Sequence, residues 1–150
     1  MLKKYADHLP VKFNKYIEPF FGGGAMFVWA FKENPEAQFV INDINTGIIS
    51  IYREIKDNLE EFQGCLNHLE QQYLPLERGI TDKKLEKELK KDWAKLYDLN
   101  PCRRYFYFKT REEHAFNFED WSTAQESATL YFLMKTGFNG IWQINNNTNR

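Results

Sequence analysis

Three consecutive glycines at positions 22–24 constrain what this chain can fold into more than any other feature of the sequence. Glycine loses more conformational freedom on folding than other residues do. Three in succession therefore indicate a backbone that turns tightly or that another group approaches closely. Residues 14–18 before the glycines favour a strand, and the apolar residues 25–31 after them favour a helix. The segment predicts a strand, a glycine turn and a helix, in that order.

A second strand and a second helix are predicted directly after this unit. Residues 37–43 (AQFVIND) form a short apolar run that ends at an Asn-Asp pair, as a strand would. The next residues carry apolar side chains at positions i, i+3, i+4 and i+7, the stripe of an amphipathic helix: Ile48, Ile51, Tyr52 and Ile55. Residues 14–56 therefore predict the first half of a Rossmann-like α/β unit.

Asp43 follows Gly24 by 19 residues and stands at the end of the second predicted strand. There an acid can accept hydrogen bonds from the ribose hydroxyls of a nucleoside cofactor, while the glycine turn leaves room for the ligand. Gly22 and Gly24 match the G-x-G of the dinucleotide fingerprint, but Phe27 stands where that fingerprint has its third glycine. A cofactor without a pyrophosphate is less demanding there. The alternative is a glycine-rich hairpin or helix cap that binds nothing; the spacing of the acid favours the nucleoside.

The rest of the chain is predicted to be mainly helical. Residues 58–100 are polar, and one helical face within them carries four apolar side chains: Leu85, Leu89, Trp93 and Leu96. Thr81-Asp82 is a predicted N-cap within this segment. Further helices are predicted over residues 103–116 and from Thr123, which has a glutamate at capping-box spacing, to about Thr136.

The charge balance and the two cysteines limit which partners the chain can bind and in which redox compartment it works. The chain has 20 basic and 21 acidic residues, so nucleic-acid binding would have to rest on a local basic patch. The basic and aromatic run 103–111 either contacts phosphates or forms a helix with a buried aromatic face, and the sequence leaves both open. Cys65 and Cys102 provide neither metal-ligand spacing nor a disulfide framework, which predicts no metal and a reducing cytoplasm. No apolar run is long enough to cross a bilayer, so no membrane partner is expected.

Two segments carry a resemblance to a known family. EPFFGGGAMF (18–27), followed by NDINTGIISIYREIK (42–56), resembles the first motif and acidic strand of the Dam-like adenine-specific DNA methyltransferases. GFNGIWQIN (137–145) is similar to the DNA-recognition segment of the same family. The resemblance implies a partial Rossmann-like, S-adenosylmethionine-dependent methyltransferase fold with a helical DNA-recognition insert. Residues 1–57 would belong to the cofactor domain, and residues 58–150 to the insert and the start of the recognition hairpin.

The resemblance also assigns site residues, with double-stranded DNA as the partner and S-adenosylmethionine as the cofactor. The cofactor residues it implies are Glu18, Pro19, Phe20, Gly22, Gly23, Gly24, Asp43 and Ile44. The DNA-binding residues it implies are Phe138, Asn139, Gly140, Ile141, Gln143 and Asn145. Phe138 would enter the base stack when the target adenine is flipped out, and Gln143 would read a base edge, where glutamine suits adenine. Without the resemblance, the residues alone favour a core aromatic that caps a helix end for Phe138 and a solvent-facing strand residue for Gln143.

Two motifs of that family are absent: Asp-Pro-Pro-Tyr, which holds the target amine, and the N-terminal Trp-x-Gly-Gly-Lys. Asn100-Pro101-Cys102 lacks the second proline and an adjacent aromatic, and it is interpreted as a helix end. We therefore expect an incomplete enzyme that is inactive alone; a second polypeptide is one source of the catalytic half. Two other classes stay open. One is a non-catalytic remnant that acts as a DNA-binding or assembly module, and the other is an unrelated nucleotide-dependent enzyme such as an oxidoreductase.

Overall fold

The computed structural model describes residues 10, 12–79, 82–116 and 120–137. Within these ranges the elements are, in chain order, β1 (Lys15–Glu18), α1 (Ala25–Glu33), β2 (Gln38–Ile41), α2 (Thr46–Asp57), α3 (Leu59–Tyr73), α4 (Lys83–Glu88), α5 (Trp93–Leu99), α6 (Arg103–Phe116) and α7 (Thr123–Thr136). The chain divides into two compact units, Met1–Tyr52 and Arg53–Arg150. The predicted boundary after residue 57 separates a cofactor-binding part from a DNA-recognition part, and this functional division stays a prediction.

The first unit contains the predicted strand, glycine turn, helix and strand. β1 and β2 pair in parallel, with Lys15 opposite Gln38 and Glu18 opposite Ile41. Parallel neighbours need a crossover connection, and α1 provides it between the two strands. The predicted α/β class is confirmed for the described part of the chain. A Rossmann-like arrangement beyond these two strands stays a prediction.

Aromatic side chains form the interior of the first unit, and Phe27 stands among them. Its ring centroid lies 5.6 Å from that of Phe21, 5.4 Å from that of Phe39 and 5.8 Å from that of Tyr52. Edge-to-face geometry at these distances is favourable for aromatic pairs. The position where a dinucleotide fingerprint has its third glycine is therefore filled by a packing residue of this small sheet.

The described part of the second unit is helical, as predicted, and its core has two apolar clusters. One joins Phe106 of α6 with Phe132 and Leu133 of α7, and residues of α3 pack against it. The other surrounds Leu96, Cys102 and Tyr105, where α5 packs on α6. No helix in the described ranges is both long and apolar enough to cross a membrane.

Two local expectations in the second unit are wrong. The apolar face from Leu85 to Leu96 does not lie on one helix, because a turn at residues 89–92 separates α4 from α5. The four apolar side chains still meet in one cluster. The N-cap of α7 is Ser122 instead of Thr123: its hydroxyl oxygen accepts from the Gln125 N–H at 3.2 Å.

Two other helix ends agree with the sequence prediction. The Asp82 side chain caps α4 by accepting from the backbone N–H groups of Lys84 and Leu85, both at 3.0 Å. Asn100 ends α5, as the interpretation of Asn100-Pro101-Cys102 required. The predicted start of the recognition hairpin, after Gly137, lies outside the described residues.

Candidate functional site

The glycine turn is fixed at the ends of the two strands. The Asn42 N–H donates to the Glu18 carbonyl at 2.9 Å, and the Phe21 N–H donates to the Asn42 carbonyl at 3.0 Å. These bonds continue the strand pairing past β1 and β2. Phe21 is buried with 2% of its surface exposed, so its ring anchors the start of the turn in the aromatic interior. The glycines that follow are therefore held against the segment that carries Asp43.

Two of the three glycines adopt a backbone conformation that strongly favours glycine. Gly22 has φ of 52° and Gly24 has φ of 71°, both in the left-handed region. A Cβ on Gly24 would lie 2.6 Å from Cζ of Phe21 and 2.6 Å from Oη of Tyr52. A Cβ on Gly22 or Gly23 would meet nothing within 4 Å. Gly24 is thus required by packing and conformation, whereas Gly22 and Gly23 leave open space beside the backbone.

The Asp43 carboxylate is bound directly to this turn. Its Oδ2 accepts from the Gly22 N–H at 2.8 Å, and its Oδ1 accepts from the Asn45 N–H at 2.8 Å. These bonds, that of Asn45 first and that of Gly22 next, hold the pKa of the Asp43 carboxyl below its usual value. The group is therefore ionised at neutral pH and acts only as an acceptor. A carboxylate can accept about four hydrogen bonds, so the group keeps acceptor capacity for a hydroxyl donor.

Exposed apolar side chains stand at both strand ends. Phe20 is 89% exposed and Ile44 is 99% exposed. Both side chains are therefore open to contact with a ligand. An ionised acceptor with apolar neighbours in sequence has the chemistry that a nucleoside needs, since the ribose is polar and the base is flat and apolar on its faces.

Glu18 and Pro19 stand where β1 leads into the turn, and Glu18 already has a partner. The Tyr16 hydroxyl donates to Oε2 of Glu18 at 2.8 Å. Burial, followed by this carboxylate, raises the pKa of Tyr16. Pro19 is exposed, and its ring fixes the backbone just after the strand. The structure therefore brings the predicted cofactor residues into one turn and one adjoining segment.

Two features of the site escaped the sequence prediction. The bond from Gly22 to Asp43 joins residues 21 positions apart and depends on the strand register. Tyr52 of α2 lies against Gly24, although its place in the predicted apolar stripe indicated only a core role. A recognisable signal did exist for Asn45: an aspartate two residues before it favours a side-chain turn of the kind seen.

The predicted DNA-binding residues cannot be placed in the same way. Phe138, Asn139, Gly140, Ile141, Gln143 and Asn145 all lie outside the described residues. Gly137, which precedes them, is the C-cap of α7 and donates its N–H to the Leu133 carbonyl at 2.9 Å.

The chain is similar to one protein family and to individual methyltransferases. Residues 1–150 match the family described as D12 class N6 adenine-specific DNA methyltransferase, and the chain belongs to this family. It is 27% identical over 150 residues to the type II methyltransferase M.MjaIII of Methanocaldococcus jannaschii, covering 97% of this chain and 44% of that protein. It is 28% identical over 142 residues to the type II methyltransferase M1.LlaDCHI of Lactococcus lactis subsp. cremoris, covering 91% of this chain and 37% of that protein. The chain thus spans less than half the length of these relatives. No solved structure gave a significant match.

Proposed function

We propose that this chain provides the cofactor-binding and DNA-recognition parts of a site-specific adenine methyltransferase. The reaction would transfer a methyl group from S-adenosylmethionine to the exocyclic amine of an adenine flipped out of duplex DNA. Family membership and the type II methyltransferase names of both relatives support this proposal. The single observation that carries the cofactor assignment is the ionised Asp43 carboxylate, which accepts a hydrogen bond from Gly22 of the glycine turn.

The residues around the turn fit an S-adenosylmethionine molecule. Asp43 would accept from the ribose hydroxyls, and the exposed Ile44 side chain would lie against the adenine ring. The open space beside Gly22 and Gly23 lets a ligand approach the backbone, and the N-terminus of α1 follows directly. When bound, the cofactor supplies an activated methyl group on a sulfonium. The residues of this chain would orient it, while the target amine would be held by an Asp-Pro-Pro-Tyr motif, which these 150 residues lack.

Photo-crosslinking with labelled S-adenosylmethionine tests the cofactor assignment. Ultraviolet irradiation of the bound complex, followed by peptide mapping, should place the label in the segment 16–24 or in the segment 42–45. Competition by unlabelled S-adenosylhomocysteine should remove the label. A label that maps reproducibly to the helical unit after Arg53 would contradict the assigned site.

The absence of Asp-Pro-Pro-Tyr leads to a prediction about activity. These 150 residues alone should give only background methyl transfer to mixed-sequence DNA, because the groups that hold the target amine cannot be replaced by positioning of the cofactor. We propose that further polypeptide, in a longer chain or a second subunit, provides them. Transfer is measured with methyl-labelled S-adenosylmethionine. Robust transfer by the pure 150-residue chain would overturn this proposal, and no transfer after the motif is supplied would favour a non-catalytic binding module.

A second prediction separates the two proposed DNA-reading residues. In an active, completed enzyme, Gln143→Ala should relax sequence choice at one base pair, since a bidentate contact contributes about 1–3 kcal/mol of discrimination. Phe138→Ala should slow methylation of every duplex, since a wedge in the base stack carries little sequence information. Methylation kinetics on duplexes with single base changes measure both effects, with S-adenosylmethionine affinity as the control. Equal loss on all duplexes for Gln143→Ala would make Gln143 a structural strand residue.

A further inference from the structure

Lysines are concentrated on α4 and on the turn that follows it. Residues 83–91 (KKLEKELKK) contain five lysines and two glutamates, although the whole chain has a net charge of −1. A shallow depression of about 300 Å³ in this part of the second unit is lined by Lys83, Glu86, Lys87, Lys90 and Lys91. A cluster of this kind provides the local positive surface that the overall charge does not predict.

The one carboxylate that lines the depression is already neutralised. Glu86 is 7% exposed, and its Oε1 accepts from Nε of Arg104 at 3.0 Å. A second bond joins the same two side chains at 3.4 Å. Lys84 lies beside the depression and is paired with Glu88 at 4.0 Å. The remaining lysines are exposed, and within the described ranges no carboxylate lies at ion-pair distance from Lys83, Lys87, Lys90 or Lys91. These four residues are called the lysine patch below.

Backbone strain accompanies the lysine patch. Lys90 has φ of 50° and Lys91 has φ of 60°, so two successive side-chain-bearing residues occupy the left-handed region. The Lys91 N–H donates to the Glu86 carbonyl at 2.8 Å, and the Lys90 N–H donates to the Lys87 carbonyl at 3.1 Å. This pair of bonds is the helix-ending motif in which the residue at the Lys90 position is usually glycine. Strain of this kind is retained where the surrounding structure imposes it, often at a functional position.

The strained turn is held on both sides. Leu89 packs against the buried cluster of Leu96, Cys102 and Tyr105. Asp92 caps α5 by accepting from the Lys95 N–H at 3.1 Å. The backbone that carries Lys90 and Lys91 is therefore fixed relative to the helices on which it sits.

The two arginines at the start of α6 are engaged within the protein. Arg103 donates from Nε to the Leu76 carbonyl at 2.7 Å and from Nη2 to the Leu74 carbonyl at 2.9 Å. Arg104 is paired with Glu86. The start of the basic and aromatic run therefore favours the structural alternative over phosphate contact. The lysine patch instead offers cations to an outside partner.

We propose that the lysine patch binds the phosphate backbone of the DNA duplex, an inference that rests on the proposed function. Ammonium groups contact phosphates without reading sequence, and they fix how a protein sits on the duplex. The depression is surrounded by four exposed lysines, and two of them lie on the turn that is held on both sides. Their positive charges complement the row of phosphates along a DNA strand. The lysine patch would supply affinity, and the recognition segment after Gly137 would supply sequence choice.

The salt dependence of DNA binding tests the lysine patch. Binding of the full chain to a labelled mixed-sequence duplex is measured by fluorescence anisotropy between 50 and 200 mM salt. The variant K83Q/K87Q/K90Q/K91Q should bind roughly tenfold or more weakly, and its log–log salt slope should fall by about 1 for each lysine that contacts phosphate. The charge-matched control K12Q/K15Q/K32Q/K56Q changes four exposed lysines elsewhere and should keep the slope of the wild type.

A second variant separates charge from folding. K90G/K91G places glycine where the backbone is left-handed, so its melting temperature should rise while its DNA affinity and salt slope fall. If the lysines served only the helix end, both lysine-patch variants would change stability and keep the wild-type salt slope; this result would overturn the lysine patch and leave the proposed function standing. A wild-type chain that binds no duplex would overturn the lysine patch, and continued binding of S-adenosylmethionine would show that the cofactor assignment survives.

Discussion

Replacing Gly24 with alanine is expected to unfold the glycine turn and abolish S-adenosylmethionine binding, whereas the same change at Gly23 leaves the turn folded. At Gly24 the new Cβ would lie 2.6 Å from the buried Phe21 ring and 2.6 Å from the Tyr52 hydroxyl, in a left-handed backbone. Overpacking and the left-handed conformation together cost about 3 kcal/mol or more. At Gly23 the Cβ meets nothing, so the change should lie within about 0.5 kcal/mol of neutral.

Gly22→Ala should give an intermediate result. Its Cβ has open space, but its φ of 52° is unfavourable for a side chain, which costs about 1–2 kcal/mol. Urea unfolding of the three variants gives the order of stability. Amide hydrogen exchange in α1 and β2 shows whether the loss falls in the first unit. Equal stability for the Gly23 and Gly24 variants would show that the turn does not have the packing described.

Replacing Asp43 is expected to weaken S-adenosylmethionine binding roughly tenfold or more, the loss typical of a hydrogen bond to a charged acceptor. Asp43→Ala removes both acceptor oxygens, and Asp43→Asn keeps the shape but leaves only one oxygen to serve the Gly22 and Asn45 N–H groups. Asp57→Ala is the control, because this aspartate is also exposed and is paired with Lys56, at 3.3 Å, outside the glycine turn. Calorimetric titration measures all three variants. An unchanged affinity in a folded Asp43→Ala protein would remove Asp43 from the site.

Asp43 should also make the stability of the glycine turn depend on pH in the acid range. Because its pKa is lower folded than unfolded, its contribution to stability is complete above the unfolded pKa and is lost as the pH falls through the folded value. The turn should therefore loosen only below about pH 4. In Asp43→Asn this part of the acid transition should be absent.

The first unit followed from local patterns because several signals agreed there. The strand, the glycines and the apolar helix are adjacent in sequence, and residues 25–33 form the helix that was expected. The hydrogen bond between Gly22 and Asp43 could not be predicted from the sequence, because it depends on Glu18 pairing opposite Ile41. The spacing of the acid from the glycines nevertheless pointed to the same pair.

In the helical unit, the points where helices begin and end were harder to predict from the sequence. Leu85, Leu89, Trp93 and Leu96 fit one continuous helix, and the turn between them is made by two lysines, which carry no helix-breaking signal. Ser122 and Thr123 both carry a hydroxyl that could cap α7, and the sequence alone does not show which of them does. The Ser122 hydroxyl also donates to Glu61 of α3 at 2.7 Å, a contact between residues 61 positions apart.

Titration of the wild-type chain with S-adenosylmethionine and, separately, with NAD tests the central claim most directly. We predict saturable binding of one S-adenosylmethionine per chain, competition by S-adenosylhomocysteine and no detectable binding of NAD. Phe27 fills the place where a dinucleotide site needs its third glycine, and its ring packs on Phe21, Phe39 and Tyr52. Saturation by NAD without binding of S-adenosylmethionine would contradict the proposed cofactor and favour an unrelated nucleotide-dependent enzyme.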